Sequence, residues 1–406
     1  MHVIFVEPRF PVNQREFVRG LKAAGAAVSG IGESPLESFD PELRGWLASY
    51  EQVSSVCHEP SMMKAVEAIQ ARGWVDRLEA TVEAHIMPVA KVREARGIPG
   101  MSVRTAFLCR DKPAMKEALR EAGVPTAQSL GTDDPDEVRA FAQQVGFPLI
   151  IKPRGAAGAS GTFRADDPAQ LEDVIEKSNL GRGAGVAVEE FVEGHEGFYD
   201  TLCADGKIVH EFVSHYYPNV LHAMRTRWIS PQIVVSNRSS ASSYDEVREM
   251  GQKVIDVLGI GTSATHMEWF YGPKGLKFSE IGCRPPGVSV WDLYAISNDF
   301  DIYAEWGHLI ARGRPSQARS ERFATGMVNL RPDQDGRIVG YDGVEQMQER
   351  FSSCLIDCHF PPVGSPTASV EGGYKVNAWV RVKHPDYDEL KKILTSIGET
   401  VRVRAE

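Results

Sequence analysis

Two glutamates, Glu268 and Glu280, stand in unusually apolar company: His266-Met-Glu268-Trp-Phe and Leu276-Lys-Phe-Ser-Glu280-Ile-Gly-Cys-Arg284. A Gly-Pro-Lys-Gly turn separates the two segments, so they read as a hairpin with both acids at one end of adjacent strands. Side chains alternate along a strand, which predicts one face shared by Glu268 and Phe270, and by Phe278 and Glu280. Two carboxylates on one face repel unless a cation lies between them. Magnesium fits, because it takes one or two carboxylates together with phosphate oxygens, and manganese is admitted by the same ligands. Arg284, just beyond, offers a fork for a carboxylate or phosphate. The competing reading, two solvated acids on a surface hairpin, sits poorly with the apolar neighbours.

Three further segments carry chemistry. Leu149-Ile-Ile-Lys152 is a buried strand ending in lysine, and it opens into a loop containing Gly155, Gly158, Ser160 and Gly161. Glycines let backbone N–H groups approach phosphate oxygens, and the lysine adds a point charge. Taken singly, this reads first as a surface turn, since glycine-rich turns are common. Val186-Ala-Val-Glu189-Glu190-Phe191-Val192-Glu-Gly-His-Glu196 can line an adenine with backbone groups and set a carboxylate against ribose hydroxyls. Alone, it reads as a strand end with solvated acids. His222-Ala-Met-Arg225-Thr-Arg227-Trp228 is basic and aromatic, a candidate acceptor or phosphate contact or simply an exposed loop. Arg9 is a weaker substrate-binding candidate.

Other signatures fail. No GxxxxGK[ST] occurs, so there is no Walker A loop. Gly259-Ile-Gly261-Thr-Ser-Ala264 follows a helical pattern and precedes a strand, the reverse of a dinucleotide fingerprint's context. Acidic residues number 55 against 45 Lys plus Arg, for a net charge of -10. That argues against a general nucleic-acid or anionic-membrane binder. The start, MHVIFVEPRF, reads as a strand and not a signal peptide, and no apolar run approaches the roughly 20 residues that span a bilayer. Six cysteines, at 57, 109, 203, 283, 354 and 358, form no CxxC pair. A reduced, cytoplasmic protein without disulfides or a zinc site is expected.

The elements that must position these residues follow from periodicity. Strands His2–Val6 and 26–31 alternate with helices after Asn13, at 62–71 and at 82–95, the rhythm of a small parallel α/β domain. Gly97-Ile-Pro-Gly100 ends it. Helices at 103–109 and 113–122 follow, the second capped by Asp111. Then come a strand near 126–130, a helix at 135–145 and the strand 149–152. Strands dominate from 194 to 280, interrupted by a helix at 243–258. The last ninety residues read as α+β, with strands at 324–330 and 375–382 and an amphipathic helix at 386–397.

Together these residues resemble the ATP-grasp enzymes, in detail from Lys112 to Gly287 and in domain order throughout. Asp111-Lys112-Pro-Ala-Met-Lys116 looks like the helix bearing that family's first lysine, and Lys152 matches the second. The loop from Gly155 to Gly161 matches the mobile phosphate cover. Glu189, Glu190, Phe191 and Val192 match the adenine hinge, and Glu196 the ribose-binding acid. Glu268 and Glu280 match the magnesium ligands, and Arg284 the arginine beside the reacting acyl phosphate. The family's asparagine two residues after the second metal glutamate is Gly282 here.

The resemblance implies an α/β and α+β architecture. It comprises an N-terminal parallel α/β domain (1–100), a central ATP-grasp domain (101–310) with a mobile lid at about 126–192, and a C-terminal α+β domain (311–406). It implies ATP and magnesium as cofactors. The reaction implied joins small-molecule carboxylate and amine substrates through an acyl phosphate, with Arg284, Arg225 and Arg227 as catalytic candidates. A homodimer is compatible with it. A bicarbonate-using carboxylase and a non-catalytic nucleotide-binding module are the alternatives.

Overall fold

The computed structural model describes residues 1–154, 161–178, 180, 185–370 and 378–406. The N-terminal sheet is wholly parallel and holds β1 (His2–Val6), β2 (Ala27–Gly32), β3 (Leu47–Gln52) and β4 (Arg77–Glu79) in the order β3-β2-β1-β4. The order reverses at β1, where β4 lies on the side opposite β2. The short β4 and the half-buried edge strand β3 lack a readable alternation, and periodicity misses both. Helix starts are better marked. Asp40-Pro41, Asp134-Pro135 and Asp167-Pro168 each open a helix, the aspartate accepting a backbone N–H and the proline occupying the first turn. Asn13 stands at the N-cap of the helix Gln14–Ala23, but its side chain makes no capping bond.

A second, four-stranded antiparallel sheet is built from β5 (Ser129–Thr132), β6 (Leu149–Pro153), β7 (Phe163–Ala165) and β8 (Val186–Glu190), in the order β5-β8-β6-β7. The strand expected at 126–130 begins at Ser129. The residues before it serve another purpose: Pro125 and Thr126 dock on the edge of the strand carrying Glu280, where the Phe278 N–H donates to the Pro125 carbonyl at 2.7 Å.

The body is an antiparallel sheet. Its chain continues through β9 (His195–Ala204), β10 (Lys207–Tyr217), β11 (Gln232–Val235), β12 (Ser263–Gly272), β13 (Gly275–Gly282), β14 (Ala324–Leu330), β15 (Ile338–Asp342), β16 (Leu355–His359), β17 (Ala378–His384) and β18 (Arg402–Ala405). Eight of these form one sheet, β13-β12-β9-β10-β11-β14-β17-β16, while β15 and β18 pair separately. The sheet thus runs without a break past residue 310.

Alternation sends Tyr199, Cys203, Met267 and Trp269 into a core beneath the helices Lys112–Glu121 and Asp245–Leu258. Phe198 and Leu202 point the other way, to a core shared with the N-terminal domain and the helices Val290–Asn298 and Ile302–Arg312. Among the described residues, no helix is long and apolar enough to cross a membrane.

The N-terminal domain is joined to the body by a close helix crossing. Gly20 of the helix Gln14–Ala23 meets Gly307 of the helix Ile302–Arg312. A Cβ on Gly20 would run into the Tyr303 carbonyl, and one on Gly307 into the Gly20 backbone. Backbone cannot yield as a flexible side chain can, so Gly20→Ala should destabilise the fold by about 1–3 kcal/mol in urea unfolding. Gly45→Ala is the control, because Gly45 lies in the helix Pro41–Trp46 with open space around it. There, helix propensity should leave stability unchanged or raise it by up to about 1 kcal/mol.

Candidate active site

A cavity of about 880 Å³ lies between the four-stranded sheet and the body. Its charged wall is a ladder of alternating signs. Lys112 and Lys116 are four residues apart and therefore share one helix face. Lys116 Nζ lies 2.6 Å from Glu189 Oε1, and Lys152 Nζ lies 2.9 Å from Glu189 Oε2. Lys152 Nζ is 3.9 Å and Lys112 Nζ 3.4 Å from Glu280 Oε2. Lys116 is 1% exposed and Glu189 5%. Burial pushes the Lys116 ammonium down to about 8, Lys152 adding to the effect while Glu189 opposes it. Burial pushes Glu189 the other way, upward, yet the two lysines outweigh it and hold the carboxyl at about 2.

The metal candidates meet as the hairpin requires: Glu268 pairs directly with Glu280 across β12 and β13. Phe278 does not share their face. The register shifts so that Trp269 opposes Phe278 and Ser279 is an extra residue, a β-bulge. Leu276 and Phe278 therefore point into the core with Trp269, and beyond the bulge Ile281 and Cys283 do so instead. The bulge returns Glu280 to the face of Glu268. Both carboxylates line the cavity. Their oxygens suit a hard divalent cation that takes its remaining ligands from phosphate and water. Among the described residues, no three His, Cys, Asp or Glu side chains form a metal cage.

Behind Glu268 stands a relay that sequence reasoning missed. Tyr294 donates its hydroxyl to Asp200 Oδ2 at 2.6 Å, Asp200 Oδ1 lies 2.7 Å from His266 Nδ1, and His266 Nε2 lies 3.6 Å from Glu268 Oε1. Burial lowers the affinity of His266 for a proton, but Asp200 and Glu268 more than compensate and raise it to about 9. The legible signal was the i, i+2 spacing of His266 and Glu268, which puts both on one strand face. Lys116 was legible in the same way from its helical spacing to Lys112.

Arg284 donates Nε–H to Glu83 Oε2 at 2.9 Å, and Arg110 Nε lies 3.3 Å from Glu83 Oε1. Glu83 begins the helix Glu83–Ala95 of the N-terminal domain. A Cβ on Gly282 would stand 3.4 Å from this carboxylate. Glu83 is thus the nearest group to any side chain at 282, at ordinary contact distance. Past Arg284 the chain enters the left-handed region at Val288 (φ 49°) and Ser289 (φ 60°), a costly conformation for a β-branched residue, and Val288 lines the cavity.

Glu190, Phe191, Val192 and Glu196 also line the cavity. The Glu190 side chain turns aside, accepting from the Gln128 N–H at 3.1 Å. Phe191 carries the Arg164 guanidinium 4.3 Å above its ring. Glu196 accepts the Val220 N–H at 2.6 Å, and burial, reinforced by Glu268, raises its carboxyl to about 8. Arg225 lines the cavity, where burial and nearby Arg164 both disfavour its charge. Arg227, two residues on, faces elsewhere. Its guanidinium pairs with Asp335 at 2.8 Å, and the neighbouring Trp228 is 86% exposed. Arg9 donates to the Ser38 carbonyl at 3.2 Å and is not part of the cavity wall. Gly161 has the positive φ of 68° that favours glycine, whereas Gly155, Gly158 and Ser160 lie outside the described residues.

Glu189 supplies a direct test of the ladder. Its folded value of about 2 lies below the ordinary 4.5, so the stability it contributes is complete above about 4.5 and lost as pH falls towards 2. Glu189→Gln strands two buried ammonium groups and should cost about 3–5 kcal/mol at neutral pH, flattening the acid limb of the stability curve. Lys116→Met should cost less, because Lys152 still neutralises Glu189. Urea titrations between pH 2 and 7 measure both.

Residues 117–297 match the family model of the ATP-grasp domain. The L-arginine-specific L-amino acid ligase of Bacillus subtilis is 29% identical over 258 residues, covering 62% of this chain and 62% of that protein. This chain thus spans less than two thirds of that relative, and 48% of the alanine–anticapsin ligase of Bacillus subtilis, to which it is 26% identical over 52% of its own length. An L-amino acid ligase from Bacillus licheniformis shares the fold over 100% of this chain and 98% of its own, with a TM-score of 0.74 at 16% identity.

Proposed function

On the premise that this chain is an ATP-grasp protein, we propose that it is an ATP- and magnesium-dependent ligase that joins a carboxylate to an amine, with amino acids as the substrate class. The observation that carries the reading is the run of three lysines and two glutamates along one cavity wall, in which Glu280 is also the cross-strand partner of Glu268. Such a wall suits a polyphosphate flanked by a divalent cation. The likeness to two amino acid ligases supports the choice of substrates. We divide the chain into an N-terminal α/β domain (1–100), a nucleotide-binding domain (101–310) with its lid at about 126–192, and a C-terminal α+β domain (311–406), and assign the substrate contacts to the N-terminal loops, residues 214–238 and the C-terminal domain.

Glu268 and Glu280 would hold magnesium, which when bound offsets charge on the phosphate oxygens. Lys112 and Lys152 face the same phosphates, and the hinge at Glu190, Phe191 and Val192 receives the base. Glu196 receives the ribose hydroxyls, and the loop from Gly155 to Gly161, with Ser160, covers the phosphates. A substrate carboxylate oxygen attacks the γ-phosphorus while the bond to ADP breaks, giving an acyl phosphate. A neutral amine then attacks the acyl carbon, phosphate leaves, and the nitrogen sheds a proton. Arg284 steadies the acyl phosphate, and Glu83 keeps Arg284 in place. The work of the protein is positioning and charge compensation.

A phosphate-release screen across paired amino acids tests this. ADP and phosphate should appear only when a carboxylate and an amine are both present. Turnover with bicarbonate alone would transfer the assignment to a carboxylase, and MgADP binding without turnover on any pair would leave a binding module. Glu280→Gln should lower magnesium-dependent ADP release on the order of a hundredfold or more.

The two arginines of the 220s offer a sharper contrast. Arg225→Ala should raise the KM for ATP or for the carboxylate about tenfold, the loss of one charged contact. Arg227→Ala should leave both constants unchanged. Equal effects from the two variants would remove Arg225 from the site.

A further inference from the structure

Cys109 and Cys283 are far apart in the chain, |i−j| = 174, yet their Sγ atoms lie 2.9 Å apart. Each is 3% exposed. A disulfide closes at about 2.05 Å, so roughly 1 Å separates this thiol pair from a bond. The Ser279 bulge turns Cys283 towards Cys109, which follows the helix Val103–Leu108. Both cysteines flank the ladder. Cys109 precedes Arg110 and Lys112, and Cys283 lies between Gly282 and Arg284. Cys109 also lines a cleft of about 30 Å³ together with Lys112 and Glu280. A cleft of that size admits a molecule like water or hydrogen peroxide and excludes a peptide thiol.

We propose that Cys109 and Cys283 form a modification site at which hydrogen peroxide joins them as a disulfide and thereby weakens nucleotide binding. The peroxide O–O bond breaks as Cys109 Sγ takes one hydroxyl, and the thiol proton leaves with the other as water. Cys283 Sγ then displaces the hydroxyl from Cys109, its proton completing a second water. Two thiols lose two electrons and two protons, which the peroxide gains. Closing the bond draws the turn before Lys112 against the end of β13. The Lys112–Glu280 contact, at 3.4 Å, lies between these two elements. Cys203 shares the same core but bonds the Thr201 hydroxyl at 3.1 Å, which leaves Cys109 as the partner of Cys283.

The test treats the full-length reduced protein with hydrogen peroxide, blocks remaining thiols under denaturing conditions and digests without reductant. One cross-linked peptide pair should contain Cys109 and Cys283, two hydrogens lighter than its separate halves. Calorimetric titration with MgADP should show affinity at least about tenfold weaker after oxidation, restored by dithiothreitol. Cys283→Ala should retain its MgADP affinity through the same treatment. Recovery of both cysteines as blocked thiols, or as separate sulfinic acids, overturns the site. A bond that forms while MgADP affinity stays constant overturns its effect on the nucleotide. The affinity measurement rests on the nucleotide reading above and the peptide map does not. If the untreated protein binds no MgADP, or if Cys283→Ala fails to fold, the map of the wild-type chain still decides whether the bond forms.

Discussion

Three lysines share one cavity wall because two carboxylates are threaded between them. An ammonium group loses several kcal/mol of hydration on burial, and like charges side by side add to the cost. Glu189 answers both demands at once, reaching Lys116 with one oxygen and Lys152 with the other. Glu280 repeats the arrangement more loosely with Lys152 and Lys112. The lysines are thus oriented before any phosphate arrives. Less reorganisation remains when one does, which is the physical content of preorganisation.

The members of this ladder come from separate parts of the fold. Lys112 and Lys116 belong to a helix packed beneath the body sheet, Lys152 and Glu189 to β6 and β8, and Glu280 to β13. Its ion pairs therefore stitch two sheets together as well as lining the cavity. Arg154 and Asp111, paired at 3.0 Å, add a stitch at the same seam. The relay from Tyr294 through Asp200 and His266 plays a similar part within the body, constraining Glu268 from behind.

How legible this was depended on range. The Glu268–Glu280 pairing follows from a hairpin with a short turn, and local alternation was enough to see it. The Ser279 bulge was not visible, because one extra residue leaves no trace in composition, yet it puts Phe278 and Glu280 on opposite faces of the strand. Lys152 and Glu189 could be flagged singly from their strands, but their contact depends on pairing between β6 and β8. Lys116 and His266 carried periodic signals that became meaningful only beside their partners. Arg225 and Arg227 look alike in sequence, and Asp335, more than a hundred residues later, separates them. Glu83 offered no local hint, since its proximity to Gly282 is set by the docking of one domain on another. Elements with strong periodicity, such as β14 and the helix Pro135–Val145, were read to the residue, while the three-residue β4 and β7 were not.

The four-stranded sheet leaves and rejoins the body through two chain crossings, before Ser129 and after Glu190. The crossings are zipped to each other: the Glu190 N–H donates to the Gln128 carbonyl at 3.0 Å, and the Gln128 N–H to the Glu190 carboxylate at 3.1 Å. Pro125 is anchored on β13 at one end, and at the other Gly194 passes so close to Tyr271 and Gly272 that a Cβ would strike backbone. At the Lys152 end, among the described residues, the same sheet and the body are joined by one backbone bond, from the Lys112 N–H to the Arg154 carbonyl at 3.3 Å, and otherwise by ion pairs from Lys116 to Glu189, Lys152 to Glu280 and Arg154 to Asp111. The cavity is therefore framed at one end mainly by neutral peptide groups and at the other mainly by charges, so a change in protonation bears chiefly on the second.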